Sequence, residues 1–475
     1  MLCLIVPLHL SLAQPVTPGS RGDSGPRGFG RPRPAARPGR TPQDRRRADA
    51  PSPHGLEELV MRQHVENHKR AAATYPPLPH LDGTEGEYTG GWDTWTLPDD
   101  TVAPANAPYG TNELLLKSRA PLLTAEECDF LIGMAEAHAV EQGWDTRYPV
   151  QGYTHEVNVA NCPEGVEVLR RALFTRLFPA AAAQFPHAIR NASSLRVYDA
   201  LVVKYDAASG NNCLPVHQDF GLLTYNIALS DDESYTDGGT WFQFCGETLR
   251  TRRGEGLLHA GRLVHCGVPV ARGTRYQLVI FVLSTDHADV AGRLQAVGAA
   301  TGSKASGALQ DLTLSCRTLE LSSKYNPLDA ETWSQLGHNH LAQSDLPRAE
   351  RAFARAVALS GGRDFAALCS HARVLDALQR PAESIATWQQ AIEVGSPPSP
   401  RQHAEAREAR HNFGVSLLAL GLLEEAGQVL AFESVVNEEE DAVESWAALG
   451  VCMSRLQQPE AALVCQKQVL RIRGV

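Results

Sequence analysis

Closely spaced cysteines are missing from this chain of 475 residues. Its ten cysteines stand singly, at Cys3, Cys128, Cys162, Cys213, Cys245, Cys266, Cys316, Cys369, Cys452 and Cys465, and no Cys-x-x-Cys occurs. The zinc spacings are therefore absent. Buried thiols are expected, with Cys128–Cys162 or Cys213–Cys245 open as pairs in an oxidising compartment. Past the N-terminus there is no unbroken apolar run of the ~18 residues that a spanning helix needs, so no membrane span is expected. Basic charge is scarce outside the N-terminal tract. Residues 15–50 carry +6, and the remainder −16, an acidic body that argues against nucleic-acid binding. With 43% apolar residues, the chain is long enough for two or three domains with their own cores.

Residues 1–14 are apolar and end on Ser11-x-Ala13, as a signal segment would, but lack a basic start and contain Pro7. They read either as a secretory signal or as a start of no function. Residues 15–55 are rich in Pro, Gly and Arg and are expected to be disordered. The glycines at 19, 22, 25 and 28 make too few triplets for a collagen helix, and Arg21-Gly22-Asp23 is a tripeptide that chance supplies often. Residues 56–115 read as a helix, Leu56 to Thr74, followed by an irregular wrap dense in Pro, Gly, Asp and Trp. Thr124-Ala-Glu-Glu127 is a capping box opening a helix to about Ala139. A second helix is expected from Glu164 to Phe178, ending before Pro179. Asn191-Ala-Ser193 is a glycosylation sequon, meaningful only in a secreted chain.

From Leu195 to Ser284 the pattern changes. Short apolar runs at 200–205, 224–229, 239–244, 256–259 and 276–283 alternate with Gly, Asp and Arg clusters, as strands and turns do. Val216-His217-Gln218-Asp219 places an imidazole and a carboxylate two residues apart, hence on one face of a strand. His265 follows 46 residues after Asp219, and Arg275 ten residues after that. Two imidazoles and one carboxylate leave three coordination positions open and suit non-haem Fe(II). An open site of that kind takes a bidentate 2-oxo acid and O2, and Arg275 suits the far carboxylate of such an acid. His259, the Asp231-Asp232-Glu233 run, Gly238-Gly239 and Cys266 are read as packing residue, solvated loop, backbone device and core thiol respectively.

At these residues a resemblance becomes specific. The runs His217-Gln-Asp219-Phe-Gly-Leu-Leu-Thr224-Tyr-Asn226, Asp237-Gly238-Gly239-Thr240-Trp241-Phe242 and His265-Cys-Gly267-Val-Pro269-Val-Ala-Arg272-Gly273-Thr274-Arg275-Tyr276 resemble the core of the 2-oxoglutarate, Fe(II)-dependent dioxygenases. Within that family they are similar to the prolyl 4-hydroxylase and lysyl hydroxylase branch. The resemblance implies a double-stranded β-helix (jelly-roll) with support helices over 116–285. It implies His217, Asp219 and His265 as iron ligands, and Arg275, Tyr205 and Thr224 around 2-oxoglutarate, with O2 as co-substrate and ascorbate as reductant.

Residues 286–325 read as a linker of small residues, and 326–475 as repeated helices. Gly337, Ala372, Gly414 and Gly450 recur at steps of 35, 42 and 36. Ser396-Pro-Pro-Ser-Pro400 accounts for the long step. The array looks like tetratricopeptide helix pairs. The expected protein is thus α+β, a jelly-roll followed by an all-α solenoid. It is expected to hydroxylate a peptidyl side chain, proline before lysine, with a protein partner on the solenoid. The compartment is the endoplasmic reticulum lumen if the signal is real, and otherwise the cytoplasm. The alternatives are a hydroxylase of small molecules or free amino acids with the repeats as scaffold, and a non-catalytic interaction protein.

Overall fold

The longest strand, β12 (Val270–Ser284), is the spine of the larger of two sheets. The computed structural model describes residues 53–76, 88–97, 109–144, 153–287, 289–303, 311–399, 401–436 and 443–473. The signal segment of 1–14 and the Pro/Gly/Arg-rich tract as far as residue 52 lie outside them. Strand β12 pairs along one edge with β4 (Leu195–Asp206) and along the other with β6 (Leu223–Ala228). Beyond β6 lie β10 (Gly256–Ala260), β2 (Glu113–Ser118) and β1 (Trp92–Thr96); beyond β4 lies β3 (His155–Asn158). Short β7 (Tyr235–Asp237) pairs with the start of β12. The smaller sheet has the order β5 (Leu214–His217), β11 (His265–Gly267), β8 (Thr240–Phe242), β9 (Glu247–Leu249). Every pairing between the named strands is antiparallel.

Strand alternation gives the larger sheet two unlike faces. Leu278, Ile280 and Val282 join Val202, Tyr225 and Ile227 in the main apolar core, each such buried side chain worth roughly 1.5–3 kcal/mol. Gln277, Val279 and Phe281 line a cavity shared with the smaller sheet. Both faces are largely covered, so these strands read as near-continuous apolar runs although one face carries polar groups.

Helices α1 (Pro53–Thr74), α2 (Ala125–Gln142), α3 (Pro163–Ala172) and α4 (Phe178–Gln184) accompany the sheets. At the start of α2, Glu127 N–H donates to Thr124 Oγ1 and Thr124 N–H to the Glu127 carboxylate; such a cap contributes about 1 kcal/mol. The helix expected to stop before Pro179 instead runs on. A π turn at Leu173–Leu177 joins α3 to α4, with Phe178 N–H reaching back to Leu173 O. The wide turn places Pro179 in the first turn of α4, where a missing N–H costs nothing. The irregular wrap expected up to residue 115 also needs correction, because it contributes β1 and β2. Leu114, Leu115 and Leu116 of β2 are buried, but three apolar residues amid Pro, Gly and Asp are a weak strand signal.

The expected linker at 286–325 is a third correction. It forms α5 (Val290–Gly302) and α6 (Leu312–Tyr325). Its small residues are there for close packing. A Cβ on Gly298 would fall 2.7 Å from Leu319, and Ser315 and Ser322 hydroxyls donate to Gly298 O and Ala291 O across the pair.

Four helix pairs follow: α7 (Ala330–Ala342) with α8 (Leu346–Leu359), α9 (Phe365–Ala377) with α10 (Pro381–Val394), α11 (Gln402–Leu420) with α12 (Leu423–Val436), and α13 (Val443–Arg455) with α14 (Pro459–Ile472). In the first three, the recurring small residue meets a large one on the partner helix; in the fourth, Gly450 meets Cys465. A Cβ on Gly337 would lie 2.7 Å from Phe353, and one on Gly414 2.6 Å from Leu430; Ala372 and Trp388 share one core. The turn within each pair carries one residue at φ near +60 to +80°: Ser344, Gln379, Gly421 and Gln457. These four repeat the spacing of the small residues.

The array is docked on the smaller sheet. Arg262 forms a salt bridge with buried Asp329, Arg363 donates to Phe244 O at 3.3 Å, and Cys266 Sγ lies 3.6 Å from Pro398 O. Of the two candidate cysteine pairs, neither forms, since Cys128 and Cys245 are free thiols.

Candidate metal centre

The smaller sheet brings two imidazoles together by register. His217 ends β5, His265 begins β11, and the two residues are direct cross-strand partners, with ring centroids 4.3 Å apart. Asp219 lies two residues beyond His217, in the turn that leaves β5. Its N–H donates to Gly261 O at 2.8 Å, which ties that turn to the end of β10. The turn is built on close backbone approach. Gly221 has φ +129° and a Cβ there would meet Val282 O at 2.8 Å; one on Gly261 would meet Gly221 O at 2.7 Å. Glycine alone fits both places.

One ligand atom from each of His217, Asp219 and His265 lies within 4.8 Å of the others. His217 Nε2 is 3.4 Å from Asp219 Oδ1, and His265 Nε2 is 3.5 Å from Asp219 Oδ2. Each imidazole has its other nitrogen against a main-chain carbonyl: His217 Nδ1 is 2.7 Å from Pro215 O, and His265 Nδ1 2.9 Å from Leu263 O. A carbonyl accepts only, so Nδ1 carries the proton in both rings, and in the neutral ring Nε2 presents its lone pair. Two lone pairs then face a carboxylate whose Oδ2 is buried without a hydrogen-bond partner. That is an arrangement for a cation. The donor set, two nitrogens and one oxygen with the imidazoles fixed from behind, fits a divalent ion such as Fe(II).

The charges agree. Burial would raise the Asp219 pKa, but the nearby imidazoles, His265 foremost, hold it well below the usual carboxylate range. Burial pushes His265 down to about 3 against the pull of Asp219. For His217 burial acts the same way, yet its contact with Asp219 prevails and raises it.

The cavity beside this triad is lined by Glu156, Tyr205, Asn226, Thr240, Gln277 and Phe281 among others. Arg275 is buried opposite Tyr205 in the β12–β4 ladder, its guanidinium 4.9 Å from the Tyr205 ring centroid. Its Nη1 makes a long contact of 3.5 Å with Gly239 O, and its Nε is buried without a partner. A guanidinium left with so few bonds behind the cavity wall suits a carboxylate of a bound acid. Burial pushes the Tyr205 hydroxyl up to about 12, with Arg275 pulling the other way, so it remains a donor. Of the three residues expected around 2-oxoglutarate, Tyr205 lines the cavity, while Arg275 and Thr224 do not; Thr224 shares a face of β6 with Asn226, and its buried hydroxyl has no partner.

Residues outside the predicted set also meet here. His259 lies behind Asp219 at 3.8 Å, held by Asn226 Nδ2 at 3.0 Å and by Ala260 O at 2.9 Å, the packing role expected of it. Gln277 could have been read from alternation, two residues after Arg275. Glu156, a buried carboxylate in the cavity wall, belongs to a strand whose four residues carry no strand signal. Asp231, in the run read as a solvated loop, pairs with Arg253 at the surface.

No protein-family model matches the chain. Procollagen-lysine,2-oxoglutarate 5-dioxygenase 1 of Mus musculus is 41% identical over 87 residues, 18% of this chain and 12% of that protein. A multifunctional procollagen lysine hydroxylase and glycosyltransferase of Rattus norvegicus is 32% identical over 178 residues, 34% of this chain and 22% of that protein. The 2-oxoglutarate and iron-dependent oxygenase domain-containing protein 2 of Xenopus tropicalis is 31% identical over 96 residues, 18% of this chain and 27% of that protein. The chain thus spans about an eighth to a quarter of the length of these relatives. Among solved structures, YrrB, a TPR protein with an unusual peptide-binding site, covers 40% of the chain at 18% identity and a TM-score of 0.31, and MamA covers 38% at 15% and 0.33. The partial relatives are therefore procollagen lysine hydroxylases and a 2-oxoglutarate and iron-dependent oxygenase domain protein.

Proposed function

We propose that the chain is an Fe(II)- and 2-oxoglutarate-dependent dioxygenase that hydroxylates a peptidyl side chain, with O2 as co-substrate and ascorbate as reductant. The two sheets would be the walls of a double-stranded β-helix. The single observation that carries this reading is the triad: His217 Nε2, His265 Nε2 and the Asp219 carboxylate converge, with both Nδ1 protons committed to carbonyls. When bound, Fe(II) with 2-oxoglutarate and O2 would supply the oxidant for a substrate C–H bond. The chain's own residues supply the rest. Two imidazoles and a carboxylate hold the ion. Arg275, with Tyr205 stacked on it, neutralises the far carboxylate of the acid. The apolar side chains of Leu201, Val203, Leu214 and Phe281 keep water scarce in the cavity.

Proline and lysine are the two candidate targets. The sequence layout ranks proline first, whereas the partial relatives, being lysine hydroxylases by name, favour lysine. Thr224, outside the cavity lining, is given no part in binding the acid. A peptide or protein on the helical array is part of the proposal. The docking of the array on the smaller sheet favours a second reading, in which the repeats brace the catalytic domain and the substrate is a small molecule or free amino acid. Succinate release from purified protein with iron and 2-oxoglutarate, across peptide and small-molecule panels, tests both. Peptides that gain the mass of one oxygen support the first reading. Turnover with small molecules alone supports the second, and none with either, together with no Fe(II) binding, overturns both.

A further inference from the structure

Away from the metal centre, α1, β4 and α5 meet around a group of nitrogen atoms that have nothing to bond. His64 and His68 lie one turn apart on α1, their rings edge to face at 4.3 Å. Arg293 of α5 is 5% exposed and stacks over the Phe220 ring at 4.6 Å. The charge of Arg196 of β4, whose Nη1 donates to Ser193 O and Leu195 O, bears on His68, and those of Arg293 and His287 on His64. His64 Nδ1, both ring nitrogens of His68 and Arg293 Nε are buried without a hydrogen-bond partner. Each such orphan costs on the order of 1–3 kcal/mol, and four of the fifteen found among the described residues meet at this one junction.

The chemistry of the missing partner follows from the donors. Arg Nε donates only, a guanidinium stays charged, and every imidazole has an N–H to give. The nearby carboxylate, Asp289, is already engaged, capping α5 through Gly292 N–H at 2.8 Å. A metal ion is the wrong occupant despite the spacing of His64 and His68. The one group of three His, Cys or carboxylate ligands found among the described residues is the triad of His217, Asp219 and His265, and two guanidinium charges would repel a cation. Burial and neighbouring positive charge hold both imidazoles below the usual histidine range, His68 at about 4; a negative charge between them would reverse that.

We propose that this junction is a binding site for a small oxyanion, a phosphoryl group or a carboxylate, gripped by Arg293 and by the imidazoles of His64 and His68, with Arg196 adding positive charge nearby. The site does not depend on the metal reading. It sits on the outer side of the turn that carries Asp219, since Phe220 follows Asp219 directly.

Titration calorimetry of the full chain with inorganic phosphate, and separately with acetate, tests this. Saturable binding of phosphate is expected, weakened at least about tenfold in Arg293→Met and in His68→Leu and unchanged in Lys69→Gln, whose side chain is exposed on the same helix. Acetate binding as well as phosphate assigns the site to a carboxylate; phosphate alone assigns it to a phosphoryl group. If Arg293→Met fails to fold by circular dichroism, the half-buried His68 still decides the matter through His68→Leu. No saturable binding of either anion, or binding that survives both substitutions, overturns the proposal.

Discussion

His217 and His265 face each other across a two-strand ladder, 48 residues apart in the chain and 4.3 Å apart between ring centroids. The pairing of β5 with β11, not any local motif, brings both imidazoles to one place. His265→Ala should therefore lower Fe(II) affinity by at least about 100-fold, more than a lost outer partner would. Succinate release should be lost while the helical array stays folded. Equilibrium dialysis with metal analysis, beside circular dichroism, checks this; retained stoichiometric iron would sink the triad.

Among the described residues Arg275 has no carboxylate partner, and its Nε is an orphan, so its charge is available to a ligand. Arg275→Ala should weaken 2-oxoglutarate by about 2–4 kcal/mol, the loss for a buried charged pair, with Fe(II) binding nearly unchanged. Unaltered co-substrate affinity would refute the assignment.

The contact between the sheets and the array rests in part on Arg262 with buried Asp329. Arg262→Ala leaves that carboxylate without its cation and should cost about 2–3 kcal/mol. In calorimetric unfolding, the trace of the variant should be split or broadened toward lower temperature relative to the parent chain.

Glu331 in α7 lies in the same seam. Burial, with the charges of Asp364 and Asp329, pushes its carboxyl up from 4.5 to about 7. The folded chain holds that proton where the unfolded chain has released it. The stabilisation is therefore complete below about pH 4.5 and fades as pH rises through 7. Glu331→Gln should remove this slope and stabilise the chain by about 1 kcal/mol at pH 8. Denaturant midpoints measured from pH 5 to 8 would show it.

Gln379 holds φ +58° in the turn between α9 and α10, where the third pair has Gly421. Left-handed backbone costs a residue with a Cβ about 1 kcal/mol. Gln379→Gly should thus be neutral or stabilising by up to that amount, although glycine is usually harmful near helices. A marked loss of thermal stability would contradict the turn geometry.

The triad and the repeat period were legible in spacing: a carboxylate two residues after His217 with a second His further on, and one small residue per helix pair, although Asp219 sits in the turn after β5 and not on the strand expected for it. What escaped depends on packing. Glu156 and Gln277 turn into the cavity only because β3, β4 and β12 share a register. Helices α5 and α6 hid in a stretch whose Gly, Ala and Ser looked like slack chain, when those residues are what lets the two helices touch. Pro179 looked like a stop because a π turn that absorbs it leaves no trace in hydrophobic period. Thr224 was carried in by resemblance alone, and β6 sets it outside the cavity lining.

Strand β11 is three residues long, and neighbouring residues on it serve different masters. His265 belongs to the triad; Cys266, next in line, abuts the Pro398 carbonyl of the array. A bulkier side chain at 266 has nowhere to go without lifting the array or tilting the imidazole. Substitutions in the array are therefore restricted where it meets the sheets, at Asp329, at Arg363 and above all at residues 396–399, beside the strand that carries His265.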